Sequence, residues 1–258
     1  TSNGTDPTAL ENIIEVADQG NPLLQDNGGV TKTIALAANS PAIDAGDNNL
    51  IPADTSFDQR GDGFPRLFNK TVDIGAFESR LALEVDTEND ENDGSVTDGD
   101  ISLRDAISAI APGGTITFAD GIDSITLDEG LGELVIDKAV TIDGGNSDGT
   151  PDVTVERASD ATADFRIFNI DDEESSAIDV TLSGLTISGG SLSGFANNGG
   201  GILNQENLTL TNSSISGNSA DYGGGIANYG TATLSNSTVS GNSATRNGGG
   251  IDNIGTAT

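Results

Sequence analysis

An acidic loop at residues 86–100, DTENDENDGSVTDGD, carries the side chains best suited to bind a metal ion. Counted from Asn89, its oxygen-bearing residues fall at positions 1, 3, 5, 7, 9 and 12 of an EF-hand-type calcium loop, with glycine at position 6. The matching residues are Asn89, Glu91, Asp93, Gly94, Ser95, Thr97 and Asp100, and the alternative ligands are Asp86, Glu88, Asp90 and Asp98. The loop departs from the EF-hand pattern because it starts with Asn, ends with Asp and has no entering helix. It predicts a Ca²⁺ site, and a solvated acidic loop is the alternative.

The composition limits the other chemistry of the chain. Its 258 residues include no His and no Cys, which removes the commonest general base, thiolate chemistry and disulfide bonds. Asp and Glu number 41 against 10 Lys and Arg, and the net charge is −31. Such a surface repels nucleic acid and anionic membranes. No run approaches the ~20 apolar residues of a membrane span. We therefore expect neither nucleic-acid binding nor membrane insertion.

Paired carboxylates are the one catalytic arrangement that this composition favours, since glycoside hydrolases need only two at a defined separation. With 41 acidic residues, however, pairs in the sequence are not diagnostic, and Asp171-Asp172-Glu173-Glu174 is interpreted as a solvated corner. Basic residues are few, and the sequence indicates no aromatic-rich groove for sugars. We predict that the chain is not an enzyme. The alternatives are a polysaccharide-binding adhesin and a β-helix polysaccharide lyase or glycoside hydrolase. A groove with clustered carboxylates and aromatics favours the enzyme, and a smooth Thr/Ser/Asn face favours a scaffold.

The elements that must position these residues come from a repeat. Ile202 recurs as Ile226 and Ile251, at a period of 24–25 residues, with Gly triplets before each. Alternating apolar and polar residues, as in Leu208–Thr211, are typical of strands. A period in the twenties with residue types kept in phase indicates a repeat architecture. We predict an all-β fold, a right-handed parallel β-helix with short capping helices. Its stacks are Ile202, Ile226 and Ile251, with amide ladders at Asn204, Asn228 and Asn253 or at Asn212 and Asn236.

The order of the segments predicts two parts. Residues 1–79 are interpreted as the C-terminal end of a preceding β-helix unit, with a last strand, a capping helix at 7–18 and loops. Residues 80–258 are interpreted as the start of the next unit, with an N-terminal cap at 80–113, including a helix begun by Ser102, and coils over 114–258. Within the first part, Arg60-Gly61-Asp62 spells a cell-adhesion tripeptide, which we interpret as chance.

Several motifs resemble a known family. The segment with NPLL, DNGG, SPAIDAG, DQRG and VDIGAFE resembles the C-terminal module of bacterial secreted β-helix proteins of the choice-of-anchor Q type. The acidic loop followed by ISLRDAI resembles their N-terminal CSLREA module, and the GGGI coils resemble their middle. The resemblance implies an extracellular or cell-surface, secreted β-helix protein and no common reaction. Where that module commonly has two cysteines, this chain has Val96 and Ile101.

The two ends of the chain match each other. Thr256-Ala257-Thr258 repeats Thr231-Ala232-Thr233, and the start TSNGT then aligns with LSNST at 234–238. This match predicts head-to-tail assembly with copies of itself, as a tandem repeat in a giant chain or as subunits of a fibre. The expected interface residues are Thr1, Ser2, Asn3, Gly4, Thr5, Thr231, Leu234, Asn236, Thr256, Ala257 and Thr258.

Overall fold

The computed structural model describes residues 10, 13–17, 21–27, 29–37, 40–62, 64–68, 71–96, 99–145, 152–194 and 197–258. The chain divides into two compact units, Thr1–Ala82 with Val96–Asp98, and Leu83–Ser95 with Gly99–Thr258. The larger unit is a parallel β-solenoid of about five turns, which confirms the predicted fold.

Three parallel sheets run along the solenoid. The first contains β1 (Ala82–Val85), β2 (Gly114–Phe118), β5 (Val140–Asp143), β8 (Asp179–Ser183), β11 (Asn207–Thr211), β15 (Thr231–Ser235) and β19 (Thr256–Ala257). The second contains β4 (Leu134–Ile136), β7 (Phe168–Ile170), β10 (Ile202–Asn204), β14 (Ile226–Asn228) and β18 (Ile251–Asn253). The third contains β3 (Ser124–Leu127), β6 (Val153–Arg157), β9 (Leu185–Ser188), β12 (Ser214–Ser216) and β16 (Thr238–Ser240). A shorter sheet pairs β13 (Ser219–Tyr222) with β17 (Ser243–Asn247).

The interior is a set of aliphatic columns that follow from the strand pattern. Ile202 pairs with Ile226 and Ile226 with Ile251, as the period predicts. Ile202 and Ile226 have no exposed surface, whereas Ile251, in the last coil, is 37% exposed. Each buried aliphatic side chain contributes about 1.5–3 kcal/mol relative to an exposed one. A narrow core of this kind stabilises the coils although the chain has few aromatics.

Amide ladders accompany the aliphatic columns. The Nδ2 of Asn204 donates to the Oδ1 of Asn228, and the Nδ2 of Asn228 donates to the Oδ1 of Asn253, both at 2.6 Å. This is the ladder that the repeat predicts. Asn212 and Asn236 occupy equivalent corners with φ of 51°, in the left-handed region that asparagine tolerates. Their recurrence is therefore explained by the backbone turn.

The glycine triplets are required where coil corners stack closely. Gly223 has φ of 59°, and a Cβ on Gly224 would lie 2.0 Å from the carbonyl oxygen of Ser243 in the next coil. A side chain at position 224 therefore forces the backbone of the two coils to shift apart locally. This close approach explains why the triplet recurs before every isoleucine of the column.

One of the two predicted helices is present. Helix α1 (Leu103–Ala109) begins after Ser102, whose Oγ accepts a hydrogen bond from the backbone N–H of Asp105 at 3.0 Å. Its predicted apolar face is buried, at Leu103, Ala106 and Ile107. A single turn of this helix therefore presents three aliphatic or small side chains to the interior of the larger unit.

The helix predicted for 7–18 is wrong over the described residues 13–17. Ile14 forms an antiparallel bridge with Leu36, and Val16 forms one with Pro22. Helical spacing of Leu10, Ile13 and Ile14 suggested a helix, but the β-branched side chains at 13, 14 and 16 favour extended backbone. The rest of that predicted helix lies outside the described residues, except Leu10.

The smaller unit holds a buried charged cluster around Arg60. The guanidinium stacks on the rings of Phe64 and Phe77, 4.1 and 4.0 Å from their centroids, and pairs with Asp58 at 2.6 Å. Arg60 is only 4% exposed. Because this arginine is buried and paired, the tripeptide at 60–62 is not displayed as an adhesion motif, which agrees with its interpretation as chance. The unit also contains a short 3₁₀ helix (Asn48–Leu50).

Candidate functional site

Two acids of the loop at 86–100 are used by the protein itself. Asp86 accepts backbone hydrogen bonds from Gly99 at 2.6 Å and from Ile101 at 2.7 Å. Asp90 forms a bidentate pair with Arg104, with both contacts at 2.8 Å, and also accepts from the N–H of Asp128. Both carboxylates therefore hold the loop in place, and their oxygens are largely occupied by protein donors.

Glu91 differs from these two acids. Its Oε1 is buried and has no hydrogen-bond partner among the described residues. Burial raises the pKa of Glu91, and the nearby carboxylates of Asp100, Asp93 and Asp105 raise it further. This concentration of negative charge around a desolvated oxygen is the arrangement that a cation stabilises. Three of the residues, Glu91, Asp93 and Asp100, are predicted ligands.

Asp105 is the member of this group that the sequence analysis missed. It is buried in α1, and its Oδ1 accepts from the N–H of Gly94 at 2.9 Å. Its Oδ2 accepts from the Oγ of Ser102, so the two residues form a reciprocal cap at the start of the helix. The spacing Ser-x-x-Asp was the available signal, since it resembles a capping box.

The remaining predicted ligands are scattered. Glu88 and Asn89 are exposed, and Ser95 is half-buried, while the N–H of Ser95 donates to Asp93 at 2.9 Å. Thr97 and Asp98 lie outside the described residues. The structure thus places Glu91, Asp93 and Asp100 close enough to interact electrostatically and leaves Glu88 in solvent.

A cleft of ≈ 560 Å³ adjoins the loop. Among its lining residues are Asn89, Glu91, Thr126, Asp128, Glu129 and Asp160, and none of the lining residues is aromatic. Glu129 accepts hydrogen bonds from the N–H groups of Thr162 and Ala163, at 2.7 and 3.2 Å, which lower its pKa. The cleft is therefore lined by one carboxyl whose pKa is raised and one whose pKa is lowered.

A second acidic group lies at a corner between successive coils. Carboxylate oxygens of Asp171, Asp172 and Glu206 lie within 4.8 Å of one another. Glu206 is 4% exposed and accepts from the N–H of Ile178 at 2.9 Å. The interpretation of 171–174 as a solvated corner describes Glu173 and Glu174, which are exposed, but not Asp171 and Asp172, which are half-buried. Glu206 was not predicted as part of this group because it lies a whole coil away from Asp171 and Asp172 in the sequence.

Of the predicted assembly residues at 231–258, Thr256 and Ala257 form the last strand, and Thr231 and Leu234 lie in β15 of the coil before it. Thr231 pairs with Thr256 and Ala232 with Ala257, and the N–H of Leu234 donates to the carbonyl of Thr258 at 3.0 Å. Asn236 follows β15 at an exposed corner. Thr1, Ser2, Asn3, Gly4 and Thr5 lie outside the described residues, so their predicted pairing stays a prediction.

Comparison with protein-family models, with curated proteins and with solved structures finds no match to this chain. Among the described residues, no helix has the length and apolar character needed to span a membrane.

Proposed function

We propose that this chain is a structural solenoid element, extended by stacking a further β-helix unit on its last coil. The further unit is a copy of the chain, placed head-to-tail in one giant polypeptide or in a filament. Its placement outside the cell, secreted or at the cell surface, is proposed from the resemblance to secreted β-helix proteins. The anionic surface fits this role, because like-charged rods stay apart.

The observation that carries the proposal is the continued register of the last two coils. Ile226, Asn228 and Thr231 are matched in type by Ile251, Asn253 and Thr256, which pair with them directly. Ile202 and Ile226, which lie between neighbouring coils of the column, have no exposed surface. A unit that continues the register would bury Ile251 in the same way.

A tandem fusion of two copies, joining Thr258 to Thr1, tests the stacking. If the second copy continues the solenoid, the fusion unfolds at higher denaturant concentration than the single chain, because the junction adds an interface between coils. Ile251→Lys in the first copy puts a charge into this interface and removes the gain. Ser240→Lys, at an outward position of β16 in the preceding coil, keeps it. An unchanged midpoint on fusion, or equal effects of the two lysines, contradicts stacking, and light scattering of the single chain separates filament from tandem repeat.

The loop at 86–100 is proposed to bind Ca²⁺ through Glu91, Asp93 and Asp100. What supports this is the buried, unpartnered Oε1 of Glu91 amid further carboxylates. Oxygen ligands of this kind are those that Ca²⁺ prefers. In this position the ion would replace the cross-link that the resembling module forms with its cysteines.

A carbohydrate-active role is the second candidate, and the cleft beside this loop favours it. Glu91, with its raised pKa, suits a general acid, and ionised Glu129 suits a base or nucleophile. The missing aromatic lining weighs against it. Release of reducing ends from a polysaccharide, lost in both Glu91→Gln and Glu129→Gln, would replace the scaffold proposal. No release from neutral or acidic polysaccharides leaves the scaffold.

A further inference from the structure

The outward face of the first sheet is a regular array of hydroxyl groups. Its central column contains Thr115, Thr141, Thr181, Thr209, Thr233 and Thr258. Successive members come from successive coils, so they lie about 4.8 Å apart along the solenoid. The pairing from Thr141 to Thr233 contains no register shift. This set and the two columns beside it are called the threonine face.

The flanking columns extend the array sideways. On one side lie Ser183, Thr211 and Ser235, in register with one another. On the other side lie Asn207, Thr231 and Thr256. Because alternate residues of a strand share a face, these columns lie about 6.7 Å from the central one. The backbone therefore places polar side chains, most of which are hydroxyls, on a two-dimensional grid.

The charge of this face is unusual for the chain. The net charge of the protein is −31, but the central column carries no charged residue. Asp143 and Asp179 lie in the flanking columns, and Asp179 accepts a hydrogen bond from the Nδ2 of Asn207 at 3.0 Å. The central column itself offers no ion pair to a charged polymer, and it is complementary to an uncharged ligand.

The side chains of the face are held in place before any ligand binds. Threonine is β-branched and stiff at χ1, and the members of the central column from Thr115 to Thr233 are half-buried between their neighbours. The hydroxyls of Thr233 and Thr258 hydrogen-bond to each other at 3.2 Å. Rigid side chains lose little conformational entropy when a surface binds them. Their side chains recur once in every coil, so a ligand that contacts every row must itself be periodic.

We propose that the threonine face binds the surface of ice. The spacings of the grid are close to the repeat distances of water oxygens on the prism faces of ice. Hydroxyls then continue the hydrogen bonding of the lattice, while the methyl groups fill the spaces between its oxygens. The ligand is a neutral crystalline solid, which matches both the periodicity and the lack of charge in the central column. This activity goes beyond the scaffold role and does not require a second copy of the chain.

The test is thermal hysteresis and inhibition of ice recrystallisation by the whole chain. The face variant is Thr181→Lys with Thr209→Lys, which places two charges in the central column. The matched control is Thr186→Lys with Ser214→Lys, at outward positions of the third sheet in the same coils. Circular dichroism shows whether each variant keeps its strands, and Thr181→Ser with Thr209→Ser removes only methyl groups if the lysine variant does not fold.

The expected result is hysteresis in the parent chain, its loss in the face variant to the level of buffer, and its retention in the control. The serine variant is expected to show reduced hysteresis. A parent chain without hysteresis or recrystallisation inhibition overturns the proposal, and so does equal loss in the face variant and the control. Sedimentation of the chain with crystalline cellulose or chitin, without any effect on ice, would assign the face to a polysaccharide instead.

Discussion

Replacing Asn228 tests how much the amide ladder stabilises the solenoid. Its Oδ1 accepts from Asn204 at 2.6 Å, and its Nδ2 donates to the Oδ1 of Asn253 and to the carbonyls of Gly230 and Thr256, at 2.6, 3.2 and 2.9 Å. Each such bond contributes about 0.5–1.5 kcal/mol net, and a buried group left unpaired costs more. Asn228 has no exposed surface. We therefore expect Asn228→Ala to lower the free energy of unfolding by about 2–4 kcal/mol.

Asn253 is the matched control, because it is the same residue in the last coil and is exposed. Asn253→Ala leaves the Asn228 amide its two carbonyl acceptors, so we expect a loss below about 1 kcal/mol. Asn228→Asp should lower the free energy of unfolding more than Asn228→Ala, because it places a carboxylate oxygen against the three oxygens that accept from the Asn228 amide. Urea unfolding followed by far-UV circular dichroism gives the midpoint of each variant. If the m-values are unchanged, differences between the midpoints report differences in the free energy of unfolding. Equal losses for Asn228→Ala and Asn253→Ala would refute a stabilising ladder.

Three further predictions concern pH, packing and calcium. Burial raises the pKa of Glu78 to about 7, with Arg66 opposing, so the folded state retains a proton that the unfolded state loses near pH 4.5. The free energy of unfolding should therefore fall as pH rises from about 4.5 to about 7, as measured by denaturant titrations. Glu78→Gln should flatten this pH dependence. A free energy of unfolding of the parent chain that rises over this pH range contradicts the prediction. Gly224→Ala should lower the free energy of unfolding by about 1–3 kcal/mol through its contact with the next coil. Gly249→Ala, whose Cβ would lie 3.4 Å from its nearest neighbour, should leave the melting temperature nearly unchanged. Equal shifts of the melting temperature in the two variants would exclude the packing argument. Chelation should lower the melting temperature of the parent chain but not of Glu91→Gln, and no change in excess chelator would argue against a structural ion.

The sequence predicted the solenoid well because its period is a direct record of stacking. Residues such as Ile202 and Ile226 recur in phase since each must lie on the other, and their pairing confirms it. The prediction failed where one short segment fits both a helix and a strand. The spacing of Leu10, Ile13 and Ile14 fits a helix, but Ile14 bridges Leu36, and a partner 22 positions away is not encoded in local spacing.

The candidate sites were less predictable because they depend on how many residues each coil contains. Phe168 pairs with Ile202, whereas Ile202 pairs with Ile226, so coil length changes from 34 to 24 residues. Asp171 and Glu206 meet across the longer of these steps. The loop at 86–100 was recognised by composition alone, but which of its acids face Arg104 and which remain unpaired depends on three-dimensional contacts.

The amide ladder also restricts how such a gene can change in length. A deletion of 24 residues from Gln205 to Asn228 would bring Asn204 directly before Tyr229 and preserve the phase of every column. A deletion that removes part of a strand in this region would shift the alternation of the remaining residues and put a polar residue into the aliphatic interior. Insertions that preserve phase are therefore whole coils or corner loops, and each added coil lengthens the rod by about 4.8 Å. Recombination between repeats in the gene therefore changes the length of the solenoid in steps of one coil.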